Sequence, residues 1–128
     1  MGSNVAQGTA YSTNWGSGIG INVSQASGSA TVGAYTPTGT GIAYSISSVP
    51  ANLRIVLGTT GTTQYCSNVA AGATTGTVPW SSFVTDCWDT VPDGGTFSTA
   101  DGLAKVQFQV AAAAAPATYE FCVNSVSF

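Results

Sequence analysis

The chain has 128 residues, of which 2 are Lys or Arg, 5 are Asp or Glu and none is His, for a net charge of −3. That length holds one domain and no second. One Arg and one Lys cannot build the basic stripe that neutralises phosphates, so nucleic acid and anionic membranes are excluded as partners; without histidine there is neither a Ser/His/Asp unit nor an imidazole metal ligand. Apolar residues make up 44% of the chain, yet no run reaches the ~18 residues of a bilayer-spanning helix. They come in short pieces parted by Gly, Ser and Thr, the pattern of a β-rich extracellular domain. Residues 1–3 (Met-Gly-Ser) read as a cloning remnant. No charged start followed by an apolar stretch marks a signal peptide, and residues 4–128 read as a single domain cut from a longer secreted polypeptide.

In chain order the apolar period is two. Ile19, Ile21 and Val23 alternate with Gly20, Asn22 and Ser24. Turn residues at Thr36-Pro37-Thr38-Gly39 precede Ile42, Tyr44 and Ile46, which alternate with Ala43 and Ser45. Leu53, Ile55 and Leu57 oppose Arg54 and Val56, and Gly58 to Gly61 then break the run. Ala71 to Gly76 and Pro92-Asp93-Gly94-Gly95 are further turn clusters, and Val78 and Pro79 form an apolar pair before another turn. Val106, Phe108 and Val110 oppose Gln107 and Gln109. Ala111 to Ala115 is too short for a helix before Pro116 and is expected to loop between strands. The last run sets Phe121, Val123 and Ser125 against Cys122, Asn124 and Val126. Seven or eight such strands predict an all-β, antiparallel two-sheet β-sandwich.

Three cysteines leave one over after any single pairing. A Cys66–Cys87 bridge is favoured; it closes a loop of about 20 residues, which loop-closure entropy values at about 3 kcal/mol. The alternative is three buried thiols acting as small hydrophobes. Cys122 then stays free or pairs outside the chain. Asp86 and Glu120 are the sort of pair glycoside hydrolysis needs. Loop aspartates beside Gly and Pro, however, serve turn geometry, and no catalysis is expected. No cofactor is expected either; structural calcium is the one metal the acids admit, and the EF-hand order is absent. The Asn22-Val23-Ser24 sequon falls in an expected strand and says little.

In a sandwich the outward row of each strand faces water or a ligand. Here that row carries Asn22, Ser45, Arg54, Gln107, Gln109 and Asn124, a set with almost no charge. Amides donate and accept, and a guanidinium forks across two hydroxyls, which suits a neutral polyol; a merely solvated face would hold more Lys and Glu. Among the tryptophans, Trp80 is expected to pack. Trp88, between Cys87 and Asp89, is either a stacking platform or a lid tucked over the disulfide. Trp15, beside Gly16 and Gly18, is a second platform candidate.

Tyr65-Cys66, Val78-Pro79-Trp80-Ser81-Ser82-Phe83, Cys87-Trp88-Asp89, Val106 to Val110 and Phe121 to Val126 together resemble the C-terminal part of bacterial carbohydrate-binding modules with a galactose-binding-like jelly-roll fold. Such modules are attached to secreted glycoside hydrolases and polysaccharide lyases. Trp15 to Gly20, Pro37 to Gly41 and Leu53-Arg54-Ile55 extend the similarity over about residues 8–128. The resemblance implies non-catalytic binding of a neutral cell-wall polysaccharide, such as a glucan or xylan, on a concave sheet face, targeting an appended catalytic domain to its substrate. Trp15, Asn22, Arg54, Trp88, Gln107 and Gln109 are the expected sugar contacts, and Trp80 is implied to pack inside. Modules of this kind usually open with an acidic segment and a first strand, for which this chain begins too late, so either it is a naturally short version or its terminal strand is left as an open edge. The open edge so left motivates the alternative, a self-assembling extracellular structural subunit that polymerises by strand addition; otherwise a monomer is expected.

Overall fold

The alternation of buried and open residues seen in the sequence is realised as two antiparallel sheets facing each other. The computed structural model describes residues 16–113 and 118–128; the residue 1–3 remnant and the question of an opening strand lie outside them. Among the described residues the strands are β1 (Gly16–Asn22), β2 (Ser24–Gln25), β3 (Val32–Gly33), β4 (Gly41–Ile46), β5 (Leu53–Gly58), β6 (Gln64–Asn68), β7 (Thr75–Pro79), β8 (Lys105–Ala111) and β9 (Val123–Ser127). One sheet has the order β1-β8-β5-β6, the other β7-β4-β9, and β2 with β3 forms a short separate ribbon. This is an all-β sandwich.

The core is the pair of inner faces. Ile42, Tyr44 and Ile46 of β4 meet Leu53, Ile55 and Leu57 of β5 and Val106, Phe108 and Val110 of β8. Tyr44 sets its ring edge-on to Phe108 across the sandwich at 6.2 Å. Its hydroxyl donates to Ala73 O at 3.0 Å, so the buried phenol keeps a partner, and burial raises its pKa. Phe83, Phe97, Leu103 and Phe121 come from segments between strands and seal the core. Trp80 packs half-buried, tilted on Phe97 at 5.4 Å and Phe83 at 6.2 Å, with Nε1 donating to Gly39 O at 2.7 Å.

Two local expectations are corrected. Thr75 and Gly76 belong to β7, and the preceding turn is confined to residues 71–74, because β7 finds a partner in β4, Gly41 facing Pro79 and Ser45 facing Thr75. In β9 the strict alternation fails. Ile46 pairs with Val123 but Ser45 pairs with Ser125, so Asn124 is an extra residue on that strand. This bulge turns the following residues over; Val126 rather than Ser125 joins Val123 against the core. Ser45 and Asn124 therefore share the outer face of the three-stranded sheet, their side chains 3.5 Å apart.

Candidate functional site

The outer face of the four-stranded sheet is set by register. Arg54 of β5 lies between Gln109 of β8 and Asn68 of β6; one step along, Val56 lies between Gln107 and Cys66; beyond it, Gly58 lies between Lys105 and Gln64. β1 adds Gly18 beside Gln109, Gly20 beside Gln107 and Asn22 beside Lys105. A Cβ on Gly20 would come within 2.7 Å of Lys105 Cε, so the bare glycine is what lets the lysine lie across the edge strand.

Over this face folds the segment between Val84 and Thr96. Val84 pairs with both Cys66 and Thr96, and Thr85 N–H donates to Gly95 O at 3.0 Å, closing the base of the loop. The Cys66–Cys87 disulfide pins its middle to β6. Both cysteines are buried with Val56 and Val84 in a small second core on the outer side of the sheet. Asn68 Nδ2 donates to Cys87 O at 2.8 Å. Asp86 O accepts from Asp89 N–H at 2.9 Å, a turn with Cys87 and Trp88 at its centre. Burial works to raise the Asp86 pKa, but the backbone N–H groups of Asp93 and Gly94, at 2.9 and 2.8 Å from Oδ2, more than offset it and the carboxyl is held below its ordinary value. Asp101 likewise serves its backbone, accepting from Ser98 N–H and completing a capping box. Both carboxylates thus do turn chemistry, as expected of loop aspartates. Among the described residues no three Cys, Asp or Glu gather to hold a metal ion.

The result is a ring held open to water. Trp88 is 56% exposed although its neighbour Cys87 is buried. The ring is not tucked over the disulfide as a lid, and beneath it lies the Arg54 guanidinium, 5.8 Å from the ring centroid. Arg54 is only 7% exposed. Arg54, expected as a sugar contact, is thus largely covered, and it still borders the open space beside Trp88. Nε donates to Gln109 Oε1 at 2.8 Å. Because a guanidinium has no acceptor, the Gln109 oxygen must face Arg54, which turns the amide NH2 outward.

Open troughs lie on either side of Trp88. One, of about 830 Å3, is lined by Asn52, Arg54, Asn68, Asp89 and Ala111. The other, of about 560 Å3, is lined by Thr62, Gln64, Gln107 and Gln109. A hollow of about 20 Å3 between them shares Arg54, Gln109 and Trp88.

Of the residues singled out from the sequence, Arg54, Trp88, Gln107 and Gln109 come together here. Asn22 shares the sheet face but is not part of either trough; its Nδ2 donates to Gln25 Oε1 at 2.7 Å. Trp15 lies outside the described residues. Ser45 and Asn124 belong to the opposite surface of the sandwich. Gln64, Asn68 and Asp89 were not anticipated. The signal for the first two was present, since Gln64, Cys66 and Asn68 alternate with Tyr65 and Ser67. Cys122, at the other sheet, carries a free and exposed thiol. Among the described residues no helix is long and apolar enough to cross a membrane. Compared with protein families, with curated proteins and with solved structures, the chain matches none of them.

Proposed function

We propose that the protein is a non-catalytic binding module that holds a neutral cell-wall polysaccharide on the outer face of its four-stranded sheet. The observation that carries this reading is Trp88, an exposed ring fixed by a disulfide, a closed turn and a cation beneath it. Water gains nothing from such rigidity, whereas a ligand that stacks on the ring is spared the cost of ordering it. Around the ring the groups are amides, which meet hydroxyls as donor and acceptor alike. The charged residues lining the two troughs are Arg54 and Asp89, opposite in sign and on the same side, so the troughs carry no net charge to select an ion. Lys105 lies on the same face outside both.

The resemblance to jelly-roll carbohydrate-binding modules of secreted bacterial enzymes points the same way, as does a disulfide, which persists outside the cell. In that setting the module confines an appended catalytic domain near an insoluble polymer, and weak affinity per site suffices because local concentration is high. Affinity electrophoresis through gels containing β-glucan, xylan, mannan or pectin tests the proposal. Retardation by at least one neutral polysaccharide, abolished in Trp88→Ala, is expected; unretarded migration of the folded protein in every gel rejects it.

A second reading rests on a different surface. β1 is an edge of its sheet among the described residues, with Ile19 and Ile21 41% and 38% exposed. Such an edge favours strand addition, as in a self-assembling structural subunit. Light scattering across a concentration series separates the two, since a strict monomer ends the assembly reading.

A further inference from the structure

We infer that the ligand is a linear, uncharged glycan lying along β5 and β8, crossing Trp88 and engaging both troughs, so that the protein grips the interior of a chain and not its end. This rests on the glycan reading above and adds to it the shape and charge of the ligand. Three observations carry it.

The first is size. A small-molecule site typically measures about 300–1,000 Å3, and each trough by itself falls in that range at about 830 and 560 Å3. A single sugar stacked on Trp88 would leave one trough or both unused.

The second is alignment. Gln107 and Ala111 lie on one face of one strand, and at about 3.3 Å per residue they stand about 13 Å apart. Gln107 lines one trough and Ala111 the other. The ring of Trp88 and the amide of Gln109 sit between them, in the shallow hollow that joins the two. Trp88 borders all three spaces, and they succeed one another in the direction of the strands, which is the geometry of a groove.

The third is the polarity left over after the site has built itself. Arg54 claims the oxygen of Gln109, so that residue presents donors to the Gln107 side. Asn68 gives its NH2 to Cys87 O, so it presents its oxygen to the Asp89 side. One trough is rich in acceptors and the next begins with a donor, while Arg54 and Asp89 balance each other in charge. Hydroxyls, which donate and accept, satisfy both sides; a row of carboxylates does not satisfy the first.

Isothermal titration with cellobiose, xylobiose and mannobiose against cellohexaose, xylohexaose and mannohexaose tests this, with hexagalacturonate as the charged arm. The expected result is that the hexasaccharide of the recognised series binds about tenfold or more tighter than its disaccharide, as added contacts on a linked chain accumulate. Asp89→Ala and Gln107→Ala, one from each trough, are each expected to weaken the hexasaccharide several-fold. Borohydride reduction of its terminal sugar is expected to change nothing. Equal affinity for disaccharide and hexasaccharide, or loss of binding on end reduction, overturns the inference while the glycan reading stands; preference for hexagalacturonate overturns the inference and the neutral-polysaccharide reading together. If folded protein binds none of these oligosaccharides and none of the polysaccharides, both fall together.

Discussion

Removing the disulfide separates the stability of the sandwich from the order of the platform. Cys66 and Cys87 are 21 residues apart, and closure of such a loop constrains the unfolded chain by about 3 kcal/mol. Unfolding entropy of about 2.1 cal/mol/K per residue over this chain converts that to a fall in Tm of about 11 °C. The Cys66→Ala/Cys87→Ala double variant is the right perturbation, because both positions are buried and a serine hydroxyl would lack a partner there. Loss of the two sulfurs from the cluster with Val56 and Val84 adds to the entropic figure, so about 11 °C is a lower bound. Differential scanning calorimetry at neutral pH reads the Tm, and iodide quenching of tryptophan fluorescence reads the freedom of Trp88. The two inner faces do not involve the bridge, so far-UV circular dichroism at 20 °C, well below the transition, stays that of wild type. Glycan retention is expected to fall with the added mobility of the loop. A Tm change under about 3 °C with unchanged quenching would refute the reasoning, by showing that the bonds from Asp86 and Asn68 hold the loop unaided.

Four more outcomes follow from the same geometry. Trp88→Ala is expected to abolish retention on polysaccharide while costing under about 1 kcal/mol of stability, since the ring is more than half exposed; chemical denaturation beside affinity electrophoresis checks both. Arg54→Ala is expected to lower stability by about 2 kcal/mol, through loss of a hydrogen bond to a charged group, and to weaken binding, with Arg54→Lys failing to restore either because an ammonium cannot stack as a plane. Wild-type unfolding and binding in Arg54→Ala would refute its place beneath the ring. Trp80→Ala is expected to cost about 3 kcal/mol or more with unchanged affinity in the protein that remains folded; titration at low temperature decides. For Asp86 the folded pKa lies below the ordinary 3.8, so its contribution is complete above that value and is lost as pH falls through the lower folded one. Trp88 fluorescence is expected to change in that acid window and to stay flat in Asp86→Asn; a flat wild-type curve counts against the role of the carboxylate.

Much of the fold was written in the alternation itself. Ile42, Tyr44, Ile46, Leu53, Ile55, Leu57, Val106, Phe108 and Val110 all face the core as period two requires, because a strand's side chains point alternately to opposite faces. The exception is instructive. Val126 changed sides because a bulge at Asn124 added one residue against β4, and a bulge is a property of the pair, invisible in either strand alone. β7 was hidden for a related reason: Thr75-Gly76-Thr77 has no apolar alternation and becomes a strand only by finding β4.

The composition and the two-residue period of this chain determine that it is an all-β sandwich with an outer row that carries little charge, and the cysteine spacing favours the bridge between Cys66 and Cys87. What tertiary structure alone decided is which outward residues meet and which are covered. Arg54 looks outward in the one-dimensional pattern, yet it is buried because a loop thirty residues further on is tied back over β5 and sets Trp88 above it. Asn22 and Asn124 are equally polar and stand elsewhere, since strand order and register bring residues together and neither is encoded locally.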